Sequence, residues 1–252
     1  MTLDINTLLT LFLVYMRVFG FLMLIPIFGR EFMPPTFKFF LVTAVSFSLL
    51  LYSDIKPLEF PTTGHFFIGA AKEFIFGFVA GLILRFIFDA MQIAGELVSV
   101  NIGLGLATVF FPQQPQTTVM ALIFSLFTTL LFISFAGPEI TFMALSRSFE
   151  KFPPGTFDLY IINPEFFLKF FYESFILAFK VSLPVIASML IFNIILALVN
   201  RFIPQINVFI VGLPAQLFVG MVILIVVFPV IYLLISSHVR KYIINFVNFL
   251  GG

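Results

Sequence analysis

The chain has 252 residues, of which 61% are hydrophobic and 10% charged, with a formal net charge of +1 and a mean hydropathy of +1.18. Soluble domains carry about 25% charged and 45–50% apolar residues, so this composition specifies an integral membrane protein. The near-zero net charge argues against a nucleic-acid partner, and zero cysteines exclude disulfides, thiolate chemistry and cysteine metal sites.

The first apolar segment covers Ile5 to Ile25, is interrupted by Arg17 and stops near Pro26. Asp4 is the only charge ahead of Leu8, so the segment resembles a first membrane helix more than a cleaved signal. Pro34-Pro35 breaks the following turn, and Lys38 opens a second segment, Phe37 to Tyr52. Its roughly 16 residues are marginal against the ~20 needed to cross a bilayer. A linker with Pro57 and Pro61 follows.

The third segment, Phe66 to Gly103, would be roughly 57 Å long as one helix. That is nearly twice the ~30 Å hydrocarbon core, so it is either broken or stands partly outside the lipid, surrounded by protein. At 100° per residue Arg85, Asp89, Gln92 and Glu96 fall within a narrow arc, with Ser99 beside it. The stripe favours protein surroundings, because a charge on a lipid-facing helix centre costs on the order of 3 kcal/mol. Arg85 and Asp89 can pair at i,i+4, whereas Glu96 has no basic residue within four positions, and Arg17 and Arg201 are alone locally. Gly77 and Gly81 form a GxxxG pair that would admit a second helix closely.

An uncharged loop follows, Leu104 to Thr118, led by Gly103 and Gly105 and carrying Phe110-Phe111-Pro112 and Pro115. Val119 to Phe135 is a fourth apolar helix, and Gly137-Pro138 breaks it. Glu139 to Lys151 is amphipathic and is ended by Pro153-Pro154-Gly155. Glu165 to Asn200 is a long apolar run with a kink expected at Pro184. Arg201 to Gly212 is expected to be a turn, with Pro204 denying a donor while Arg201, Gln205 and Asn207 satisfy free groups at the helix ends. Leu213 to Ser237 is apolar again, holds Pro214 and Pro229, and ends at His238, Arg240 and Lys241. Forty Phe and no Trp suit buried helix packing better than an interfacial belt. Lys and Arg are scattered among the loops, which fixes no orientation.

Enzymatic chemistry finds no support. There is no paired-histidine helix motif, GxSxG, Walker loop or cysteine nucleophile, and no cofactor or metal site is expected. Pattern alone leaves two readings. The stripe could line a polar path in a small-solute or ion transporter. Alternatively, the stripe and glycine pair could face partner chains in a multi-subunit membrane assembly.

Leu198 to Gly220 resembles the Arg-x-x-Pro-Gln-hydrophobic-Asn-x-Phe-x-x-Gly-x-Pro block of the FliR/SctT family of bacterial type III secretion. Arg201, Pro204, Gln205, Asn207, Phe209, Gly212 and Pro214 match it. So do Arg85, Gly95-Glu96, Gly103, Gly105, Ala107-Thr108 and Phe110-Phe111-Pro112 in the central block. Many members carry Asp before that proline, where this chain has Phe111. Arg17, Pro26, Pro35 and Lys38 near the start, and Ser148-Phe149 with Pro153 and Gly155, extend the likeness over essentially the whole chain.

The resemblance implies an all-α, non-enzymatic subunit of a helical export gate, as a single membrane domain over residues 1–252. Residues 1–103 and 119–252 would form helices in hairpins around a plug-like loop at 104–118. FliP-, FliQ- and FlhB-type proteins would be its partners, at the bacterial inner membrane in the flagellar basal body, with part of the assembly raised toward the periplasm. Unfolded secreted proteins would pass through. An injectisome homologue of the same gate is the nearest alternative.

Overall fold

Proline and glycine punctuate this chain, and the long continuous apolar stretches between them, which lack the alternation of barrel strands, satisfy their backbone in lipid by coiling into helices. The computed structural model describes residues 4–25, 33–52, 55, 57–58, 62–105, 117–157, 164–203 and 208–250. Its described elements are α1 (Ile5–Leu24), α2 (Pro35–Tyr52), α3 (Thr63–Asn101), α4 (Val119–Ser134), α5 (Gly137–Lys151), α6 (Pro164–Phe202) and α7 (Val208–Leu250). The protein is all-α, and among the described residues four helices are long and apolar enough to cross a membrane, or five if α4 and α5 form one span.

The third segment is not broken. α3 is one helix of 39 residues, close to 58 Å at 1.5 Å per residue. Over its most apolar window 56% of the residues are buried by this chain, as they are in α1. α6 likewise runs through Pro184 without ending. That proline has no N–H for the Lys180 carbonyl, and Ser188 Oγ donates to the Pro184 carbonyl at 2.8 Å.

Two expected boundaries move. α6 reaches Phe202 and α7 starts at Val208, so Arg201 and Gly212 are helical instead of lying in a turn. α7 also does not stop at Ser237 but continues to Leu250. Val239, Tyr242, Ile243, Phe246 and Leu250 recur every three or four residues and are all buried. They give the extension a core face, while Arg240 and Lys241 stay exposed on the other side. Polar residues on one face do not end a helix whose other face is packed.

The chain forms two units, residues 1–86 with 132–170 and 240–252, and residues 87–131 with 171–239. In the first, α1 and α3 touch through glycine. A Cβ on Gly20 would strike the Phe74 carbonyl, one on Gly77 would strike the Arg17 carbonyl, and one on Gly81 would sit 2.7 Å from the Phe21 carbonyl. The GxxxG pair is therefore a backbone-to-backbone contact within this chain. Aromatic rings fill the rest, with Phe76 edge-on to Phe157 at 4.6 Å and Phe21 stacked on Phe246 at 5.4 Å. The Tyr242 hydroxyl is buried and donates to the Phe170 carbonyl at 3.0 Å. Between α1 and α2 lies an apolar groove of about 340 Å³ flanked by Phe12, Tyr15 and Phe39.

The second unit repeats the device. A Cβ on Gly95 would strike the Ala121 backbone of α4, and one on Gly220 of α7 would sit 2.5 Å from Ile102 Cγ2. Phe127 of α4 packs on Phe228 of α7 at 5.2 Å.

These contacts give a direct test. Gly77→Val should cost about 1–3 kcal/mol or more, because the clash is with backbone that no rotamer can move. Gly64 has nothing within 4 Å of its Cβ position, so Gly64→Ala is the control. Thermal unfolding in mild detergent should fall for the first and not for the second. Equal midpoints would mean that α1 and α3 are not held at this distance.

Candidate functional site

The most strongly organised polar group is centred on Arg17, which lies in the middle of an apolar helix yet is fully buried. Its Nε donates to Glu73 Oε2 at 2.5 Å and its Nη2 to Glu73 Oε1 at 3.0 Å, a bidentate pair with both side chains sealed from solvent. Nη1 donates to Ser148 Oγ at 3.1 Å and Nη2 to the Phe152 carbonyl at 2.9 Å. Glu73 Oε1 also accepts from the Gly155 amide at 2.8 Å. The guanidinium lies 4.6 Å from the Phe76 ring centroid and 4.1 Å from that of Phe149.

Each element contributes for a local reason. Glycine contacts bring α1 and α3 together at Arg17, and Glu73 stands one helical turn before Gly77 on the same face. α5 ends at Lys151, and the turn after it uses Gly155 at φ +76°, a conformation that side-chain-bearing residues rarely adopt. That turn aims the Phe152 carbonyl at Arg17 and the Gly155 amide at Glu73. A buried ion pair is tolerable only when its remaining hydrogen-bonding groups are matched, and this one is. Sealed from water, the cluster is a clamp joining α1, α3 and the end of α5.

Sequence reading singled out Arg17, Ser148, Phe149 and Gly155 without showing that they meet. It missed Glu73. The available signal was an acidic residue in register with Gly77 and Gly81, on the face that a neighbouring backbone had to approach.

The polar stripe on α3 is partly exposed. Arg85 is exposed, Asp89, Gln92 and Glu96 are half-buried, and Ser99 is fully buried. Gln92 Nε2 donates to Glu96 Oε1 at 3.4 Å, which brings two of the four together. Ser99 Oγ has no hydrogen-bond partner among the described residues. Glu96 adjoins Gly95, the point where α4 presses on α3.

Of the loop residues, Gly103 follows the end of α3 at φ +88°, and the Gly105 Cβ position is 3.3 Å from Val100 Cα. Phe110, Phe111, Pro112 and Pro115 lie outside the described residues. Of the expected corner, Arg201 is exposed in the last turn of α6. Gly212 is buried and Pro214 exposed within α7, while Pro204, Gln205 and Asn207 lie outside the described residues. Among the described residues no group of three or more acidic or histidine side chains could hold a metal ion.

Comparison with known proteins completes the site. The family described as "Bacterial export proteins, family 1" matches residues 8–242. The chain belongs to that family. A flagellar biosynthetic protein FliR of Aquifex aeolicus is 43% identical over 235 residues, covering 93% of this chain and 91% of the relative. The FliR of Bacillus subtilis is 32% identical over 251 residues, covering 92% of each chain. The secretion system apparatus protein SsaT of Salmonella typhimurium is 30% identical over 162 residues, covering 62% of this chain and 61% of its own. This export-family member is thus an all-α membrane component of a bacterial export apparatus, and its family is structural in character. The clamp at Arg17 fits that role, since it holds helices together and offers nothing to a substrate.

Proposed function

We propose that this export-family member is a core subunit of the flagellar-type export gate, at the bacterial inner membrane in the flagellar basal body. It joins FliP- and FliQ-type chains, with an FlhB-type protein as a further neighbour, and forms part of the channel for unfolded export substrates. The observation that carries this reading is the state of two of the long apolar helices, α6 and α7. In their most apolar windows only 22% of α6 and 17% of α7 is buried by the chain itself. Both helices are longer than a bilayer requires, at 39 and 43 residues. Surface of that length is accounted for by lipid in the middle and partner chains beyond it, with part of the assembly raised toward the periplasm. The flagellar assignment rests on the Aquifex aeolicus relative. The shorter match to SsaT keeps the injectisome homologue as the second reading.

Affinity purification in mild detergent tests the proposal. Small hydrophobic FliP- and FliQ-like chains should co-purify. Recovery as a stable lone monomer or homodimer would sink it in favour of an ordinary transporter.

The half-buried stripe is assigned to assembly, with Asp89 and Glu96 meeting protein or water instead of lipid. Replacing both with Leu should lower subunit occupancy, because each change strands the polar groups around it at a cost of about 1–3 kcal/mol. Native mass spectrometry of the extracted complex reads occupancy directly. Unchanged occupancy would remove the stripe from assembly.

A further inference from the structure

Two cations on α6, Lys180 and Arg201, are exposed, and neither has a hydrogen bond or an ion pair among the described residues. The twenty residues between them, Val181 to Asn200, carry no charge. At 1.5 Å per residue the two cations stand roughly 32 Å apart along the helix. That matches the ~30 Å hydrocarbon core of a bilayer.

The face that joins them is apolar throughout. At 100° per residue Leu183, Ala187, Ile191, Ile194 and Leu198 fall on one side of α6 with both cations, and all five are exposed. Val181, Val185 and Met189, on the other side, are buried within the chain. Asn193 and Asn200 are exposed in the same stretch, but the same spacing puts them off this face. A cation inside hydrocarbon is costly, whereas a Lys or Arg at its edge lays its stem on apolar surface and keeps its charge among headgroups. A partner helix would need two carboxylates at this one spacing. A bilayer supplies phosphates at both edges by its construction.

We propose that α6 crosses the bilayer between Lys180 and Arg201, with this stripe against lipid chains and the two cations at phosphates of opposite leaflets. This rests on the reading of α6 as partly covered by lipid, and it fixes which part. The sixteen residues before Lys180, Pro164 to Phe179, then lie outside the hydrocarbon. Glu165, Lys169 and Glu173 all fall in that portion, so every charge of α6 is at or beyond a membrane edge.

The chain has no cysteine, so a single introduced one carries a spin label at a chosen position. The variants Tyr172→Cys, Lys180→Cys, Leu183→Cys, Ile191→Cys, Leu198→Cys and Arg201→Cys alter exposed residues only. Each is measured in the extracted complex, its partner chains freed of cysteine, in vesicles of phosphatidylethanolamine and phosphatidylglycerol. Whether FliP- and FliQ-like chains co-purify is read before labelling, so the gate reading can fail while the depth profile holds. Contact with molecular oxygen should peak at Ile191, and contact with a water-soluble nickel chelate should be lowest there. Toward Lys180 and Arg201 oxygen contact should fall and nickel contact rise. An oxygen maximum at Tyr172, or a profile with no maximum inside the stripe, overturns the proposal. Low contact with both probes along the stripe also overturns it, because a partner helix then covers α6.

Discussion

Arg17→Met alone should destabilise the folded chain by about 3–5 kcal/mol, the usual cost of removing one partner from a buried pair. The loss is large because Glu73 would remain as a carboxylate fully enclosed by α1, α3 and the turn after α5, with the Gly155 amide as its one remaining donor among the described residues. Glu73→Leu should be comparably costly, leaving a buried guanidinium between Phe76 and Phe149. The double variant Arg17→Met, Glu73→Leu should recover a substantial part of either loss, since two apolar side chains fill the space without a stranded charge. Recovery should fall short of complete. Ser148 Oγ keeps the Leu145 carbonyl at 2.6 Å, but the Phe152 carbonyl and the Gly155 amide each lose a partner. Unfolding in detergent followed by circular dichroism, run as a double-mutant cycle, gives the coupling. Strictly additive losses would mean that the pair is not the clamp its geometry describes.

A plug role for residues 104–118, which the family resemblance implies, makes one prediction: replacing Phe110 and Phe111 with Gly should depolarise cells while the complex still assembles. The segment from Leu104 to Thr118 carries no charge to hold water or attract ions, and a bulky apolar constriction blocks conduction by dewetting as well as by filling space. The two phenylalanines lie between Gly103 and Gly105, which free the backbone, and Pro112 and Pro115, which restrict it. Removing both rings keeps the loop's length and removes its bulk. A membrane-potential dye reads the leak, and purification of the complex checks assembly in the same strain. An assembled variant as tight as the parent would show that these rings are not an essential part of the seal. Lost assembly would place them in subunit packing instead.

Much of the architecture was legible before any coordinates. Composition alone required a membrane protein, and continuous apolar runs without barrel-strand alternation required helices. Proline and glycine then placed several ends well: α1 stops before Pro26, α4 breaks at Gly137-Pro138, and α5 ends ahead of Pro153. The family was legible too, because its motifs are short, polar and set in an apolar background where few other residues compete for notice. The close approach at Gly77 and Gly81 could be anticipated, since glycine pairs mark where backbone meets backbone.

Tertiary structure decided the rest. Arg17 finds Glu73 across 56 positions and Ser148 across 131, and no periodicity within one helix carries a pairing of that kind. Arg17 looked solitary because a local reading can find only local partners. The same limit applies to Gln216, which donates to the Asn101 carbonyl 115 positions away. α7 passed its expected end because Arg240 and Lys241 weigh on a hydropathy average, whereas burial is decided face by face. An apolar alphabet of helices is fixed by the solvent in which the chain must live. Which buried charge meets which depends on how those helices are brought together in space, and for Arg17 and Glu73 that was settled by Gly20, Gly77 and Gly81, which let α1 and α3 touch.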